Sequence, residues 1–215
     1  MAPGRAPAAG GTAAPPHANQ RIEALCDGVF AIAMTLLILD VRLPAGSVGS
    51  TSDFWRELQH LAPAIFAFVL SFVIILITWV NHHATMKLVS ASSTSFVYAN
   101  GFLLLSVVSL PFPTSLVGDF LWTDHAAPAV VLYTAVLAVQ AVGWVLVTGA
   151  ALNGHLAASE QAASTLRNNR NGGVYGAVFY TLLAVLALWV PLASAALTTA
   201  SWIVWLVYSI RVGRG

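Results

Sequence analysis

The chain has 215 residues, of which 58% are hydrophobic and only 8% are charged, and its mean hydropathy is +0.81. Soluble globular proteins carry roughly 25% charged residues, so this composition excludes a water-soluble domain and predicts a protein surrounded by the lipid bilayer. The formal net charge of +1 excludes a nucleic-acid partner, because binding phosphates requires a strongly basic face.

Residues 1–20 are rich in Ala, Gly and Pro, and Arg5 and His17 are their only ionisable side chains. Such a segment buries too little apolar surface to offset the entropy of ordering it, so it is predicted to be a disordered cytoplasmic tail. Prolines interrupt the continuous apolar run that a secretory signal requires, so we expect the tail to be retained.

After the tail, apolar stretches alternate with polar clusters, which predicts an all-α membrane domain over residues 21–212 and a short cytoplasmic C-terminus over 213–215. A membrane helix needs about 20 apolar residues. The six predicted spans are 23–43, 58–80, 96–117, 127–152, 174–190 and 192–210. Pro111 and Pro113 are expected to kink or end the third span. A tight turn at 189–192 separates the last two spans; if it is only a kink, the protein has five spans.

The cations are distributed unequally between the two sides of this topology. With six spans and a cytoplasmic N-terminus, only Arg42 and Arg56 lie outside. The cations on the inside are Arg5, Arg21, Lys87, Arg167, Arg170, Arg211 and Arg214. Segment 167–173 is predicted to be a cytoplasmic loop. The bias predicts a multi-pass protein of the cell membrane with both termini in the cytoplasm.

The first span contains a carboxylate, Asp27, at a depth where an unpaired charge costs a few kcal/mol. It should therefore face protein or water and have a partner. Arg21, about one and a half turns earlier on the helix, is one candidate. The end of the second span, where Trp79 is followed by His82 and His83, supplies the other.

A second face of the first span is mostly apolar. At about 100° per residue, three polar or aliphatic side chains C-terminal to Ile32 fall within about 60° of it, whereas Asp27 lies about 140° from it. This stripe consists of Ile32, Thr35, Leu36 and Leu39. The carboxylate and the stripe therefore serve different surfaces. The stripe faces lipid, another span or a pore, and from periodicity alone ordinary helix packing is the preferred explanation.

The histidines do not have the spacing of a metal site. His82 and His83 are adjacent and point about 100° apart on a helix, so with His60 they predict no metal centre and no cofactor. We expect His83 to cap the Asp27 network and His82 to lie at the cytoplasmic interface. The single Cys26 has no clear activating neighbour, and no nucleophile–base pair occurs at usable spacing, so an enzyme is not expected.

Two segments of the sequence together resemble one known family. The first span is similar to the first-helix signature of the bacterial branch of the transmembrane protein 175 family of potassium channels, an Arg followed by Phe-Ser-Asp. The end of the second span resembles that family's second signature. The residues that carry the resemblance are Arg21, Leu25, Cys26, Asp27, Trp79, His82 and His83. Leu25 and Cys26 replace the family's Phe and Ser, and we expect the packing network of these residues to be kept.

The resemblance implies a homotetramer in which the first helix of each subunit lines a central pore. It implies a constriction at Ile32, further hydrophobic rings at Leu36 and Leu39, and a hydroxyl at Thr35 that favours potassium. Asp40, one residue beyond the stripe, would concentrate cations at the outer mouth. Such a pore passes K⁺ and other monovalent cations with weak K⁺ over Na⁺ selectivity, since it has no carbonyl filter.

A proton-coupled secondary transporter is the alternative function, with Asp27 and His83 as the proton relay. A transporter predicts polar groups shaped to a substrate near the bilayer midplane and often an internal repeat. The two halves of this sequence show no such repeat, so the channel is the preferred hypothesis.

Overall fold

The computed structural model describes residues 17–43 and 50–212, with side chains over 19–43 and 50–207. Within these ranges the protein consists of α-helices joined by short connections. The helices are α1 (His17–Leu36), α2 (Thr51–His60), α3 (Ala62–Lys87), α4 (Thr94–Ser109), α5 (Pro111–Phe120), α6 (Ala126–Asn153), α7 (Glu160–Leu186) and α8 (Pro191–Val212). A 3₁₀ turn, Leu37–Asp40, continues α1.

Four segments of the described chain are long and apolar enough to cross a membrane. They are Asn19–Asp40, Ala62–Lys87, Thr94–Phe120 and Ala126–Asn153, and each coincides with one of the first four predicted spans. In α8 the apolar stretch is shorter, Pro191–Val207, and α7 begins with polar sequence. The all-helical architecture predicted from the sequence is therefore confirmed.

The chain termini differ in part from the prediction. The first helix begins at His17, so residues 17–20 are helical rather than part of a disordered tail. Residues 1–16 and 213–215, which include Arg5 and Arg214, lie outside the described residues, as does the side chain of Arg211.

Prolines set two helix boundaries. The third predicted span breaks between Ser109, where α4 ends, and Pro111, where α5 begins. Pro191 likewise begins α8, two residues after the end of the turn 187–189 that follows α7. Proline lacks a backbone N–H and has a fixed φ, so it suits the first turn of a helix and disrupts a helix interior. The break at Pro111 is confirmed. The break between the last two spans is also present, but its turn lies at 187–189 and not at 189–192.

The prediction of a loop at 167–173 was wrong, because this segment lies inside α7. The Ser159 hydroxyl accepts a hydrogen bond from the Ala162 backbone N–H at 3.1 Å and starts the helix several residues earlier. A Cβ on Gly173 would lie 3.0 Å from the Val145 side chain. The glycine therefore allows α7 to approach α6 closely instead of making a turn.

A helix that the sequence did not predict, α2, lies between the first and second spans. Ser50 caps it, since its hydroxyl accepts from the backbone N–H of Asp53 at 3.2 Å, and the Asp53 carboxylate lies in the first turn. The described residues of α2 are not buried, and Trp55 is 62% exposed.

The centre of the subunit is α6, which packs against α4, α5, α7 and α8. Its Gly143 faces α4 so closely that a Cβ there would lie 3.0 Å from the Leu103 Cα. In contrast, α1 packs on one side only, against α3 and α4. This places α1 at the periphery of the subunit.

Candidate functional site

One face of α1, and of the 3₁₀ turn that continues it, is fully inside the subunit. Its buried side chains recur at intervals of three and four residues, as one helix face requires, and each is at most 1% exposed. They are Cys26, Phe30, Ala33 and Leu37. They belong to the same hydrophobic core as the buried residues of α3, α4 and α6. This face holds α1 on its own subunit.

The other face of α1, and of the 3₁₀ turn that continues it, is exposed in the described subunit. Ile32 and Leu39 are each 58% exposed, and Leu36 is 40% exposed. Thr35 is exposed beside them. The structure therefore brings the four stripe residues together on one outward surface.

Leu25 lies on this outward surface as well, with an exposed fraction of 61%. The expectation that it packs inside the signature network was wrong for the single subunit. The reason is helical geometry: seven residues complete nearly two turns, so Leu25 and Ile32 point in almost the same direction. Its neighbour Cys26 is fully buried and does belong to the packed face.

The hydroxyl of Thr35 is held by its own helix. Its Oγ1–H donates to the Ile32 carbonyl oxygen at 2.8 Å. With the proton directed at the backbone, the lone pairs of Oγ1 are left to point away from the helix. An exposed oxygen in this state can accept a hydrogen bond from water or coordinate a cation.

Asp27 is joined to α3. The indole Nε1–H of Trp79 donates to Asp27 Oδ1 at 2.8 Å. The Trp79 ring in turn stacks on His83, with 6.2 Å between centroids and 23° between planes. Of the two partners that the sequence proposed for Asp27, the structure shows the one on the second span, and Arg21 is exposed.

His83 pairs with an acid that the sequence analysis did not consider. Its Nδ1 lies 2.9 Å from Glu23 Oε1, in a contact between partly exposed side chains of α3 and α1. Glu23 precedes Asp27 by four residues, so both carboxylates lie on the same side of α1. This four-residue spacing could have identified Glu23 from the sequence as a second acid on the same side of the helix. The relay predicted for a transporter is therefore not a direct contact, because Asp27 accepts a hydrogen bond from Trp79 whereas His83 lies against Glu23.

His82 was expected at the cytoplasmic interface, and this was wrong: the side chain is 1% exposed. Its Nε2 lies 2.9 Å from the Asn100 Oδ1, and Asn100 donates through Nδ2 to the Phe96 carbonyl at 2.7 Å. The imidazole also lies against Phe30, with 5.5 Å between ring centroids. The reason is rotation about the helix: adjacent residues point about 100° apart, so one histidine faces the core when its neighbour does not.

Asp40 lies at the end of the 3₁₀ turn that follows α1. Its Oδ1 is 3.6 Å from Arg42 Nη2, and the arginine side chain is 74% exposed. An exposed pair of this kind is weak and screened by salt, so the carboxylate keeps part of its field toward solvent. Among the described residues, no three or more His, Cys, Asp and Glu side chains gather into a metal-binding group.

The chain is similar in sequence to known potassium channels. The profile of a family described as "Endosomal/lysosomal potassium channel TMEM175" matches residues 21–111, which contain both signatures. A potassium channel of Streptomyces collinus is 36% identical over 187 residues, 84% of this chain and 86% of the relative. A potassium channel of Chamaesiphon minutus is 42% identical over 116 residues, but the match spans 54% of this chain and only 57% of that protein.

A solved structure is also similar along most of the chain. The crystal structure of a lysosomal potassium-selective channel TMEM175 homolog from Chamaesiphon minutus superimposes with a TM-score of 0.79 and 30% identity. The superposition covers 89% of this chain and 97% of that one. The similarity therefore includes the helices beyond the two signatures.

Proposed function

Because this chain belongs to the TMEM175 family of potassium channels, we propose that four copies assemble around an axis lined by α1 and conduct potassium across the cell membrane. The pore is permeable to monovalent cations and weakly selective for K⁺ over Na⁺. The observation that carries this proposal is the outward stripe of α1, which combines three exposed apolar side chains with the exposed hydroxyl of Thr35.

The burial of α1 supports a role between subunits. Only 22% of the most apolar 18-residue stretch of α1 is buried inside the subunit. The corresponding share is 33% to 50% in the other three candidate spans. A stripe of aliphatic side chains alone would suit lipid. The Thr35 hydroxyl in its middle gains most from water or an ion, which a central pore provides.

Ile32 is the proposed constriction. Four isoleucine side chains around one axis would narrow the water column and exclude fully hydrated ions, with Leu36 and Leu39 as further apolar rings. Thr35, between them, would offer a ring of hydroxyl oxygens to an ion that sheds water. Potassium is dehydrated more easily than sodium, which gives a preference weaker than that of a filter with many carbonyls.

The outer mouth is the proposed place of Asp40. A ring of four carboxylates would raise the local cation concentration. Arg42 partly cancels this field, since its guanidinium lies 3.6 Å away. We therefore expect a modest effect on conductance that depends on ionic strength.

Six spans with both termini in the cytoplasm form the proposed topology, in which α7 and α8 also cross the membrane. Two contacts support the placement of the basic residues on one side of the membrane. The Asn19 Nδ2 donates to the Val89 carbonyl at 3.0 Å, and Val89 forms a β-bridge with Ala157. The start of α1, the α3–α4 connection and the α6–α7 connection therefore meet at one end. The positive-inside rule assigns this end to the cytoplasm, because Lys87 and Arg167 lie near it.

The test is potassium flux from liposomes that contain the purified protein, measured for wild type, Ile32→Ala and Ile203→Ala. Ile203 is 68% exposed on α8, so the control makes the same change at an outward isoleucine on another helix. We expect flux in wild type, a several-fold increase in Ile32→Ala because the constriction widens, and no change in Ile203→Ala. Absence of flux in wild type, or equal flux in the two variants, would contradict the proposal.

A further inference from the structure

A cavity separate from α1 lies between α3, α6, α7 and α8. Its volume is about 110 Å³. Aromatic rings form much of its wall, contributed by Trp144, Tyr180, Trp202 and Trp205. Gly172 and Gly176 of α7 form another part, where the missing side chains leave room. The proposed ion pathway uses none of these residues.

The wall of this cavity contains no charged side chain among the described residues. A charged occupant would lose its hydration without gaining a counter-charge, which costs several kcal/mol in apolar surroundings. The occupant should therefore be uncharged. Flat aromatic walls favour a flat ring, because ring pairs gain about 0.5–1.5 kcal/mol beyond the area they bury.

Two polar side chains on the cavity wall have unused hydrogen-bonding capacity. Asn81 and Thr85 lie four residues apart on α3 and both line the cavity. Thr85 is 1% exposed, and no hydrogen bond of its hydroxyl or of the Asn81 amide is seen within the described part of the subunit. The indole Nε1 of Trp202, on the same wall, is buried without a hydrogen-bond partner among the described residues. In contrast, Thr78 on the same wall is satisfied by Gln140 and by the Ile74 carbonyl.

Unpaired buried polar groups are rare in folded proteins and are normally satisfied by water or by a bound molecule. For comparison, an apolar cavity of about 150 Å³ in another protein binds benzene. The geometry points to a binding site for an uncharged molecule with one aromatic ring and one hydrogen-bonding group, which pairs with Asn81 and Thr85 and lies against Trp144.

The cavity is also connected to α1. The Trp144 ring lies 6.4 Å from the His82 ring, and His82 lies 5.5 Å from Phe30 on the buried face of α1. An occupant that shifts Trp144 therefore acts on the helix that carries Ile32 through two ring contacts. This second part of the inference, an effect of the occupant on conduction, rests on the proposed function; the binding site itself does not.

Benzyl alcohol is the probe, since it has one ring and one hydroxyl, and its binding to the purified full-length protein is measured by saturation-transfer NMR. Gly172→Leu should fill the cavity, because a Cβ at that position meets only the Trp205 ring edge, at 4.0 Å. Gly101→Leu is the matched control: its Cβ meets nothing within 4 Å, it does not line the cavity, and it makes the same gain in helix propensity.

We expect Gly172→Leu to weaken benzyl alcohol binding at least tenfold and Gly101→Leu to leave it unchanged. Thr85→Val, which keeps the shape and removes the hydroxyl, should weaken binding about fivefold, the equivalent of one hydrogen bond. If Gly172→Leu does not fold, Thr85→Val still tests the site. Cyclohexylmethanol, without the aromatic ring, and benzylammonium, with a charge, should both bind more weakly than benzyl alcohol.

Equal binding to wild type and Gly172→Leu would overturn the site, since the probe would then lie on the lipid-facing surface. Binding of benzylammonium as tight as that of benzyl alcohol would overturn the uncharged class, and no transfer to any probe would mean that water alone fills the cavity. In liposomes, benzyl alcohol should change potassium flux through wild type and not through Gly172→Leu. Binding without any wild-type flux would refute the proposed function and leave the site intact.

Discussion

The first and sixth helices are both apolar and both long enough to cross a membrane, yet they have opposite positions in the subunit. Half of the most apolar 18-residue stretch of α6 is buried inside the subunit, whereas only 22% of the corresponding stretch of α1 is buried. Helix α6 contacts helices on several sides, whereas α1 uses one face for its own subunit and turns the other outward. Hydropathy alone does not separate these roles. The difference indicates that α6 organises the fold, and it leaves the outward face of α1 free for the proposed contacts between subunits.

The largest expected effect of a single substitution is in α6. Gly143→Leu places a side chain where even a Cβ would lie 3.0 Å from the Leu103 Cα, so α4 would have to move. We expect a loss of at least about 3 kcal/mol and little folded protein in size-exclusion chromatography. Gly149→Leu on the same helix is the control, because its Cβ meets nothing within 4 Å. Equal yields of the two variants would contradict the central place of α6.

Within α1, the two faces should respond differently to the same kind of truncation. Phe30→Ala removes a fully buried ring, and we expect it to destabilise the protein by about 3 kcal/mol. Ile32→Ala, two residues later and 58% exposed, should change the stability of the subunit by less than about 0.5 kcal/mol. Unfolding of the detergent-solubilised protein in denaturant measures both. A similar loss at both positions would refute the separation of the faces.

The bond between Trp79 and Asp27 should have a smaller effect on stability. Trp79→Phe keeps a ring but removes the donor, which leaves a partly buried carboxylate without its hydrogen bond. We expect a loss of about 1–3 kcal/mol. Trp122→Phe is the control, since Trp122 is 69% exposed. If the two variants unfold at the same denaturant concentration, the contact between α1 and α3 contributes no stability.

On the outward face of α1, Thr35→Ala should affect selectivity and not stability. Removal of the hydroxyl takes away the proposed ion ligand, so the K⁺ to Na⁺ permeability ratio should fall several-fold in bilayer recordings. Thr181→Ala is a matched control, because Thr181 is also exposed and also donates to its own helix, at 2.7 Å from the Ala177 carbonyl. An unchanged ratio in Thr35→Ala would remove this residue from the pathway.

The smallest effect is expected at the outer mouth. Asp40→Asn removes a carboxylate that Arg42 already partly neutralises, so potassium conductance should fall less than twofold at low salt. In about 1 M salt the difference should disappear, because the screening length is then roughly 3 Å. A decrease that persists at high salt would mean that Asp40 contacts the ion directly.

The sequence predicted the apolar architecture well and the helix ends poorly. Apolar length located the spans, and Pro111 and Pro191 marked helix boundaries that the structure confirms. The beginning of α7 was missed because hydropathy reports where lipid is tolerated, whereas a helix continues through polar residues when a cap such as Ser159 starts it. Gly173 lies at the end of the segment predicted as a loop, but its role depends on the close approach of α6, which no local pattern shows.

The sequence also predicted some features of the candidate site and missed others. Helical periodicity located the outward stripe around Ile32 before any fold was available, because a stripe depends only on spacing. The partners across helices were harder to predict. The burial of His82 against Asn100, and the pairing of Glu23 with His83, depend on how α3 is rotated relative to α1 and α4. The rotation of α3 relative to its neighbours cannot be predicted from a single sequence.

The most direct test of the assembly is a cryo-electron microscopy map of the full-length protein in lipid nanodiscs. The account predicts four subunits around one axis, with the Ile32 side chains of all four facing each other across the narrowest part of the pore and Thr35 one turn further along. A map in which Ile32 faces lipid, or in which α1 lies away from every symmetry axis, would contradict it.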